Sequence, residues 1–114
     1  MKKILVIEDN ELNAKLMKDI LTVQGYNIDT ADDGQKGLEK AEANDYDLIL
    51  LDLQMPVLSG YDFMASYKKQ TPIIVVSACA MNTEIEKAKS MGCSDFVSKP
   101  IKITDFLETI KQYL

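Results

Sequence analysis

Five polar residues that could hold a metal ion or an anion stand at the ends of short apolar segments. Glu8 and Asp9 follow one segment, Asp52 follows another, Ser77 ends a third, and Lys99 follows a shorter one. Carboxylate oxygens are the ligands that Mg²⁺ prefers, and a hydroxyl beside an ammonium can bind the oxygens of a phosphoryl group. These residues can form one site only if the fold brings the ends of the four segments together.

Strand and helix patterns alternate along the chain and indicate how those segments are arranged. Apolar runs predict five strands, at Lys3–Glu8, Tyr26–Thr30, Asp47–Asp52, Pro72–Ser77 and Asp95–Ser98. Start signals predict helices that open at Asn10, at Asp32 to Gly34, at a capping box formed by Ser59 and Asp62, and at Thr104. Stop signals end the first and fourth helices at Gly25 and Gly92.

Apolar residues at helical spacing mark the face that each helix should bury. In the first helix they are Leu12, Leu16 and Ile20, with Met17 and Leu21 beside them. In the later helices they are Leu38 and Ala41, then Phe63, Met64 and Tyr67, then Ile85, Ala88 and Met91, and finally Phe106, Leu107, Ile110 and Leu114.

The alternation of strands and helices predicts an α/β fold with helices on both faces of a parallel sheet. The first, third and fourth strands are continuously apolar, as expected for strands covered on both faces. The second and fifth strands are shorter and mixed, which places them at the edges. This placement favours the strand order 2-1-3-4-5 of a flavodoxin-like (βα)5 fold, with residues 1–114 forming one domain.

In a sheet of this order, ligands bind beyond the carboxyl ends of the first and third strands, where the winding changes direction. Glu8, Asp9 and Asp52 would therefore converge in one crevice. Three carboxylates repel one another, so either one pKa rises or a cation binds. Oxygen ligands without histidine or thiolate favour Mg²⁺. Ser77 and Lys99 end strands at the same edge and would complete a pocket for a phosphoryl group.

With these five positions in order, the sequence resembles the receiver domains of two-component signalling along its whole length. The motif stretches are VIEDN at 6–10, LDLQMP at 51–56 with Gly60, VSA at 76–78 and SKP at 98–100. The chain is similar to chemotaxis regulators, and its stretch 8–13 looks most like single-domain cell-cycle receivers and hybrid-kinase receivers. The resemblance implies a phosphoryl-accepting switch that catalyses only its own phosphorylation and dephosphorylation.

The resemblance also implies how the acidic crevice works. Asp52 would be the nucleophile that forms an aspartyl phosphate. Asp9 and Asp52 would bind Mg²⁺ directly, Glu8 would hold a metal-bound water, and Gln54 would offer its backbone carbonyl to the metal. Without the metal, the crevice would repel a dianionic phosphoryl donor, so the expected mechanism requires Mg²⁺.

Further residues would respond to the phosphoryl group. Lys99 would pair with its oxygens, Ser77 would hydrogen-bond one of them, and the Lys99–Pro100 bond resembles the family's cis peptide. Phe96 stands where the family places its rotating aromatic residue, and a plain core residue of an edge strand is the alternative. The switch would change the surface formed by the fourth helix, the fifth strand and the fifth helix, and so its contact with a downstream protein.

The composition limits which partners and which cellular compartment the protein can have. The net charge is −5 and arginine is absent, which predicts no direct contact with nucleic acid. No apolar run reaches the roughly 20 residues of a membrane span. Cys79 and Cys93 lack the spacing of a metal site or disulfide framework, so they are expected to be reduced thiols of a cytoplasmic protein. Cys79 and Gln54 also hold the two variable positions that tune dephosphorylation in the family.

The partners follow from the same reasoning. The phosphoryl donor is expected to be a histidine kinase or a histidine phosphotransfer protein that docks near the first helix, 10–16. The chain has no histidine of its own to pass the phosphoryl group through. It is expected to be a monomer or weak dimer, either a stand-alone regulator or a piece of a longer protein.

Other functions of this fold class fit the residues less well. A flavodoxin-like electron carrier would need a phosphate-cradling loop after the first strand, where Glu8 and Asp9 would repel the flavin phosphate. A phosphatase with an aspartyl nucleophile would need a second acid two residues after Asp52, where Gln54 cannot donate a proton. A phosphate-inert scaffold of the same fold is the remaining alternative, and the complete set of site residues argues against it.

Overall fold

Five strands and five helices alternate along residues 2–55, 57–78 and 81–114, the parts of the chain that a computed structural model describes. The strands are β1 (Lys3–Ile7), β2 (Asn27–Ala31), β3 (Leu48–Leu51), β4 (Ile73–Ser77) and β5 (Asp95–Ser98). The helices are α1 (Glu11–Val23), α2 (Gly34–Ala43), α3 (Gly60–Ser66), α4 (Asn82–Ser90) and α5 (Ile103–Lys111). The strands form one parallel sheet in the order β2-β1-β3-β4-β5, which confirms the predicted flavodoxin-like fold.

Burial of the strands follows their composition. Every residue of β3 and β4 is buried, as are the last four residues of β1. The edge strands β2 and β5 contain half-buried and exposed positions. Strands covered on both faces need apolar side chains throughout, whereas an edge strand tolerates polar ones. The two mixed strands therefore lie at the edges, as their sequences predict.

Successive side chains of each strand point to opposite faces, so each face of the sheet has its own core. The core against α2, α3 and α4 includes Leu5, Ile7, Ile49, Leu51, Phe63, Ala41 and Ala88. The core against α1 and α5 includes Ile4, Val6, Leu48, Leu50, Met17, Leu21, Phe106 and Ile110. Each large apolar side chain contributes about 1.5–3 kcal/mol when it is fully buried, so the two cores together fix the sheet between its helices.

Side chains cap the start of three helices. Asn10, Asp33 and Ser59 each accept a hydrogen bond from the backbone N–H three residues later, at 3.0, 2.8 and 3.2 Å. These bonds satisfy backbone donors that the first helical turn leaves unpaired. Gly25 and Gly92 follow α1 and α4 with φ angles of +91° and +109°, which glycine adopts without strain. The predicted starts at Asn10 and Ser59 and both predicted stops are confirmed.

The start of α5 differs from the prediction. The sequence predicts Thr104 as the N-cap, but the helix begins at Ile103, and Lys102 takes the cap position without a side-chain hydrogen bond. A lysine side chain has no acceptor oxygen for a helix N–H. Phe106 and Ile110 are fully buried in the core. Their packing sets the position of the helix and outweighs the capping preference of Thr104.

Helix α1 buries a different face from the one that Leu12 and Leu16 mark. Met17 and Leu21 are 1% and 0% exposed, and Ile20 is half-buried. Leu12 and Leu16 are 80% and 43% exposed. The apolar residues of α1 therefore divide between a core face and an outer face, and Leu12 and Leu16 form an apolar patch on the surface.

Within the described residues, no helix is long and apolar enough to cross a membrane. Cys93 is a buried free thiol, and burial raises its pKa. Cys79 lies outside the described residues, so its predicted roles as a thiol and as a tuning residue stay predictions.

Candidate functional site

The carboxyl ends of β1 and β3 lie side by side at one edge of the sheet. Ile7, the last residue of β1, pairs with Leu51, the last residue of β3. Glu8 and Asp52 therefore follow directly after the ends of two neighbouring strands. The Asp52 N–H donates to the carbonyl of Ile7 at 3.1 Å, and the Glu8 N–H donates to the carbonyl of Ala31 at 3.0 Å. These backbone bonds place both carboxylates at the point where the winding changes direction.

Three carboxylates converge at this edge. Glu8, Asp9 and Asp52 each contribute an oxygen that lies within 4.8 Å of the oxygens of the other two. Glu8 and Asp52 are only 2% and 6% exposed, whereas Asp9 is exposed. A cluster of hard oxygen donors that is open to solvent on one side suits a divalent cation that keeps some of its waters. The predicted convergence of the three acids is confirmed, and their chemistry fits a divalent metal.

Lys99 lies between two of the carboxylates. Its Nζ atom is 2.8 Å from Oε2 of Glu8 and 3.3 Å from Oδ2 of Asp52. Burial by itself would lower the pKa of Lys99, but the hydrogen bonds and negative charges of Glu8 and Asp52 outweigh it and raise that pKa. Burial and the charge of Asp52 raise the pKa of Glu8 above its usual value of 4.5, although Lys99 opposes the rise. The three carboxylates therefore carry more negative charge than the ammonium of Lys99, which is bonded to two of them, can balance, and the site favours a further cation.

The loop after β3 packs tightly against Asp52. The Gln54 N–H donates to Oδ1 of Asp52 at 3.3 Å, and the Gly60 N–H donates to the carbonyl of Leu53 at 2.9 Å. A Cβ atom at Gly60 would lie 2.4 Å from the backbone oxygen of Asp52. Only glycine leaves room for this approach, so the first turn of α3 rests directly on the end of β3. The side chain of Gln54 is exposed.

Strands β4 and β5 bring Ser77 and Lys99 to the same edge. Ser77 pairs with Ser98, and the Lys99 N–H donates to the carbonyl of Ser77 at 2.9 Å. Ser77 is 1% exposed, and the Lys99–Pro100 peptide bond is cis, as predicted. Phe96 is half-buried and packs against the core on the α2, α3 and α4 face of the sheet. This position agrees with both readings of Phe96, the rotating aromatic and the plain core residue.

Two features of the site could not be predicted from the sequence. Lys99 and Glu8 form a direct ion pair, although they are 91 residues apart in the chain. Val57, in the loop after Asp52, has a φ angle of +70°. A β-branched residue rarely adopts this left-handed conformation, so no propensity rule would place valine there. Both features depend on the assembled fold and could be found only there.

Comparison with known proteins agrees with this geometry. The family described as the response regulator receiver domain matches residues 4–111 of the chain. The polar-differentiation response regulator DivK of Brucella ovis is 38% identical over 118 residues, a match that covers 99% of this chain and 96% of DivK. The hybrid signal transduction histidine kinase G of Dictyostelium discoideum is 40% identical over an alignment of 119 residues, a match that covers 97% of this chain but 4% of that kinase. The chain thus spans nearly the whole of one relative and a small part of another.

A solved structure extends the comparison to three dimensions. The response regulator protein TrrA from Thermotoga maritima, in complex with Mg(2+)-BeF, has a TM-score of 0.89 to this fold and 32% sequence identity. The match covers 100% of both chains. Receiver domains are the phosphorylation switches of two-component signalling. Since the family match runs over residues 4–111 and the acidic site stands at the expected edge of the sheet, this chain belongs to the response regulator receiver domain family.

Proposed function

We propose that the chain is a phosphoryl-accepting switch in which Asp52 takes a phosphoryl group from the phosphohistidine of a histidine kinase or histidine phosphotransfer protein. The observation that carries the proposal is the cluster of Glu8, Asp9 and Asp52, two of which, Glu8 and Asp52, are paired with Lys99. The chain turns over no separate substrate and catalyses only its own phosphorylation and dephosphorylation. We place this activity in the cytoplasm.

Phosphoryl transfer at this site needs no proton from Asp52. An oxygen of its carboxylate attacks phosphorus, a P–O bond forms, and the P–N bond to the donor imidazole breaks. Lys99 already lies 3.3 Å from Oδ2 of Asp52 and can follow the charge as it moves onto the phosphoryl oxygens. The buried Ser77 hydroxyl is the second group that would bind a phosphoryl oxygen.

The residues present fit Mg²⁺, which would balance the negative charge of the donor and the acceptor in the crevice. Asp9 and Asp52 would bind the metal directly, and Glu8 would hold one of its waters. The backbone carbonyl of Gln54 would complete the protein ligands. The Mg²⁺-containing complex of TrrA supports this choice of metal.

The switch would work through the loop after β4. A phosphoryl group on Asp52 would draw Ser77 towards it, and Phe96 would move inward if it is the rotating aromatic. Helix α4, strand β5 and helix α5 would then present a changed surface to a downstream protein. Shifting such an equilibrium from 1:99 to 99:1 needs about 5.5 kcal/mol of differential interaction.

Helix α1 is the proposed docking element for the donor. A cleft of about 400 Å³ runs from Glu8 along α1, where Glu11, Ala14 and Lys15 line it. The exposed Leu12 offers apolar contact area near that cleft. A partner on α1 would therefore stand close to the acceptor carboxylate.

Intact mass after incubation with acetyl phosphate tests the acceptor. The wild-type chain should gain one phosphoryl group (about 80 Da) on Asp52, the proposed nucleophile. The gain should occur only when Mg²⁺ is present, because the metal balances the negative charge of the donor and the acceptor. The variant Asp52→Asn should gain nothing, and Asp62→Asn on the surface of α3 serves as the matched control. A wild-type chain that stays unmodified with acetyl phosphate and with a phosphorylated donor would show that the fold is a phosphate-inert scaffold.

A further inference from the structure

Helices α3 and α4 are joined by the side chain of one tyrosine. The Tyr61 hydroxyl, near the start of α3, donates a hydrogen bond to Oε2 of Glu84 on α4. The ammonium of Lys87, one turn further along α4, lies 4.1 Å from the centroid of the Tyr61 ring. Hydrogen bonds to a carboxylate and cation–π contacts both strengthen when they are partly shielded from water, and Tyr61 and Glu84 are half-buried. We call this group, which consists of Tyr61, Glu84 and Lys87, the Tyr61 clasp.

The clasp joins the two helices that follow strands β3 and β4 in the chain. Helix α3 begins where the loop after Asp52 ends, and the Gly60 N–H is bonded to the carbonyl of Leu53 at 2.9 Å. Helix α4 begins where the loop after Ser77 ends. Tyr61 therefore connects the element that follows the acceptor carboxylate with the element that follows the hydroxyl. These two elements come from different strands, β3 and β4.

We propose that the Tyr61 clasp holds α4 against α3 while Asp52 is a carboxylate, and so opposes its phosphorylation. The contacts of Tyr61 with α4 occur in this carboxylate form, in which Oδ1 and Oδ2 of Asp52 accept hydrogen bonds from the Gln54 N–H and from Lys99. The inference rests on the proposed function, in which the phosphoryl group draws the loop after Ser77 inward.

The clasp would oppose phosphorylation because helix α4 is connected both to α3, through Glu84, and to the loop after Ser77. With its first turn fixed to α3 through Glu84, helix α4 can follow the loop after Ser77 only if the clasp lengthens or opens. A contact that is strong in one state and weak in the other disfavours the second state by the difference in free energy. Tyr61 is thus a positioning residue, because it acts on the phosphoryl site through α4.

The test is a titration with beryllofluoride, a phosphoryl mimic, in the presence of Mg²⁺, followed by ¹⁹F NMR. Tyr61→Phe removes the hydroxyl but keeps the ring over which Lys87 lies. Because the hydrogen bond to Glu84 is lost, the variant should bind beryllofluoride about fivefold more tightly than wild type, which corresponds to about 1 kcal/mol. Glu84→Gln, which weakens the same bond, should tighten binding in the same direction.

Two comparisons separate the clasp from a general effect on stability. The double variant of Tyr61→Phe with Glu84→Gln should bind no more tightly than Tyr61→Phe alone, since one bond cannot be lost twice. Tyr67→Phe removes another hydroxyl at the opposite end of α3, where it bonds Thr71 at 2.7 Å, and should leave the affinity unchanged.

The outcomes distinguish this inference from the proposed function. Equal or weaker binding by Tyr61→Phe, with wild type binding normally, overturns the clasp and leaves the proposed function intact. Tighter binding by Tyr67→Phe as well overturns the clasp, because the effect would then follow any loss of helix stability. A wild-type chain that binds no beryllofluoride overturns the proposed function and this inference together.

Discussion

At the scale of single residues, Lys99 stabilises the acidic site by pairing with its carboxylates. It neutralises one of the carboxylates that converge at the end of β1 and β3, and it bonds two of them, Glu8 and Asp52. Removing a single partner from a buried ion pair usually leaves an uncompensated charge and destabilises the fold. Here Lys99 keeps a partner when either carboxylate is removed, because it contacts both Glu8 and Asp52. The stability of the site therefore depends more on its total charge than on any single pair.

The substitution Glu8→Gln tests this balance of charge. The amide oxygen of glutamine can still accept from Lys99, while the repulsion between two buried carboxylates disappears. We expect the free energy of unfolding at pH 7 to rise by about 1 kcal/mol, as measured by urea denaturation. Affinity for Mg²⁺ should fall in the same variant. A loss of stability in Glu8→Gln, with Glu11→Gln on the surface unchanged, would show that the ion pair outweighs the repulsion.

Among the residues that the structure describes, Val57 is the non-glycine residue with a left-handed backbone conformation. A β-branched residue at φ of +70° is strained by roughly 1–2 kcal/mol, and asparagine adopts this region more readily. The substitution Val57→Asn should raise the free energy of unfolding by about 0.5–1 kcal/mol in urea denaturation. Val23→Asn, at an equally exposed residue of α1, is the control and should change stability little. Equal effects in both variants would argue against strain at Val57.

At the scale of elements, the site depends on how closely α3 approaches the end of β3. Gly60 starts α3, and its backbone rests on Asp52 and Leu53. Gly37 of α2 also packs closely, but there the neighbour is the side chain of Ile7. A side chain can move by a few tenths of an ångström, whereas the backbone of a central strand cannot move without disturbing the sheet.

The pair Gly60→Ala and Gly37→Ala therefore compares two kinds of contact. Gly60→Ala should lower the free energy of unfolding by about 1–3 kcal/mol and slow phosphorylation by acetyl phosphate, because it pushes α3 away from Asp52. Gly37→Ala should cost less stability and leave the rate of phosphorylation near that of wild type. Urea denaturation and intact mass against time measure the two effects. A normal rate of phosphorylation in folded Gly60→Ala would contradict the proposed role of this contact.

At the scale of the whole molecule, charge couples metal binding to folding. The chain carries a net charge of −5, and three of its carboxylates meet at one edge of the sheet. The unfolded chain has no such cluster, so a cation that binds the site binds the folded state alone. Any ligand of this kind stabilises the folded protein by RT ln(1 + [L]/Kd).

Mg²⁺ should therefore raise the melting temperature. At about one hundred times its dissociation constant, it would add about 2.7 kcal/mol and shift Tm by roughly 10 °C. Differential scanning calorimetry measures the shift, with sodium chloride at the same ionic strength as the control. Asp9→Asn should remove most of the shift, because Asp9 is a proposed direct ligand. An equal rise with sodium chloride would mean that screening, and no bound metal, stabilises the fold.

The part of this protein that could be predicted from its sequence is the part that local patterns encode. Continuous apolar runs mark the strands β1, β3 and β4 because both faces of these strands are covered. Parallel strands carry their carboxyl ends to one edge, so the convergence of Glu8, Asp9 and Asp52 followed from strand order alone. The caps at Asn10 and Ser59 were predictable because a cap bond joins residues three apart in the chain.

Other features were decided only by the tertiary structure. Whether Leu12 or Met17 of α1 faces the core depends on how the helix is rotated against the sheet, which many distant contacts set together. The start of α5 at Ile103 follows from the packing of Phe106, and the pairing of Lys99 with Glu8 joins opposite ends of the chain. The sequence by itself determined which residues meet at the edge of the sheet, because the periodicity of apolar residues is local. Side-chain partners and helix rotation depend on close packing between segments far apart in the chain, and only the assembled fold decided them.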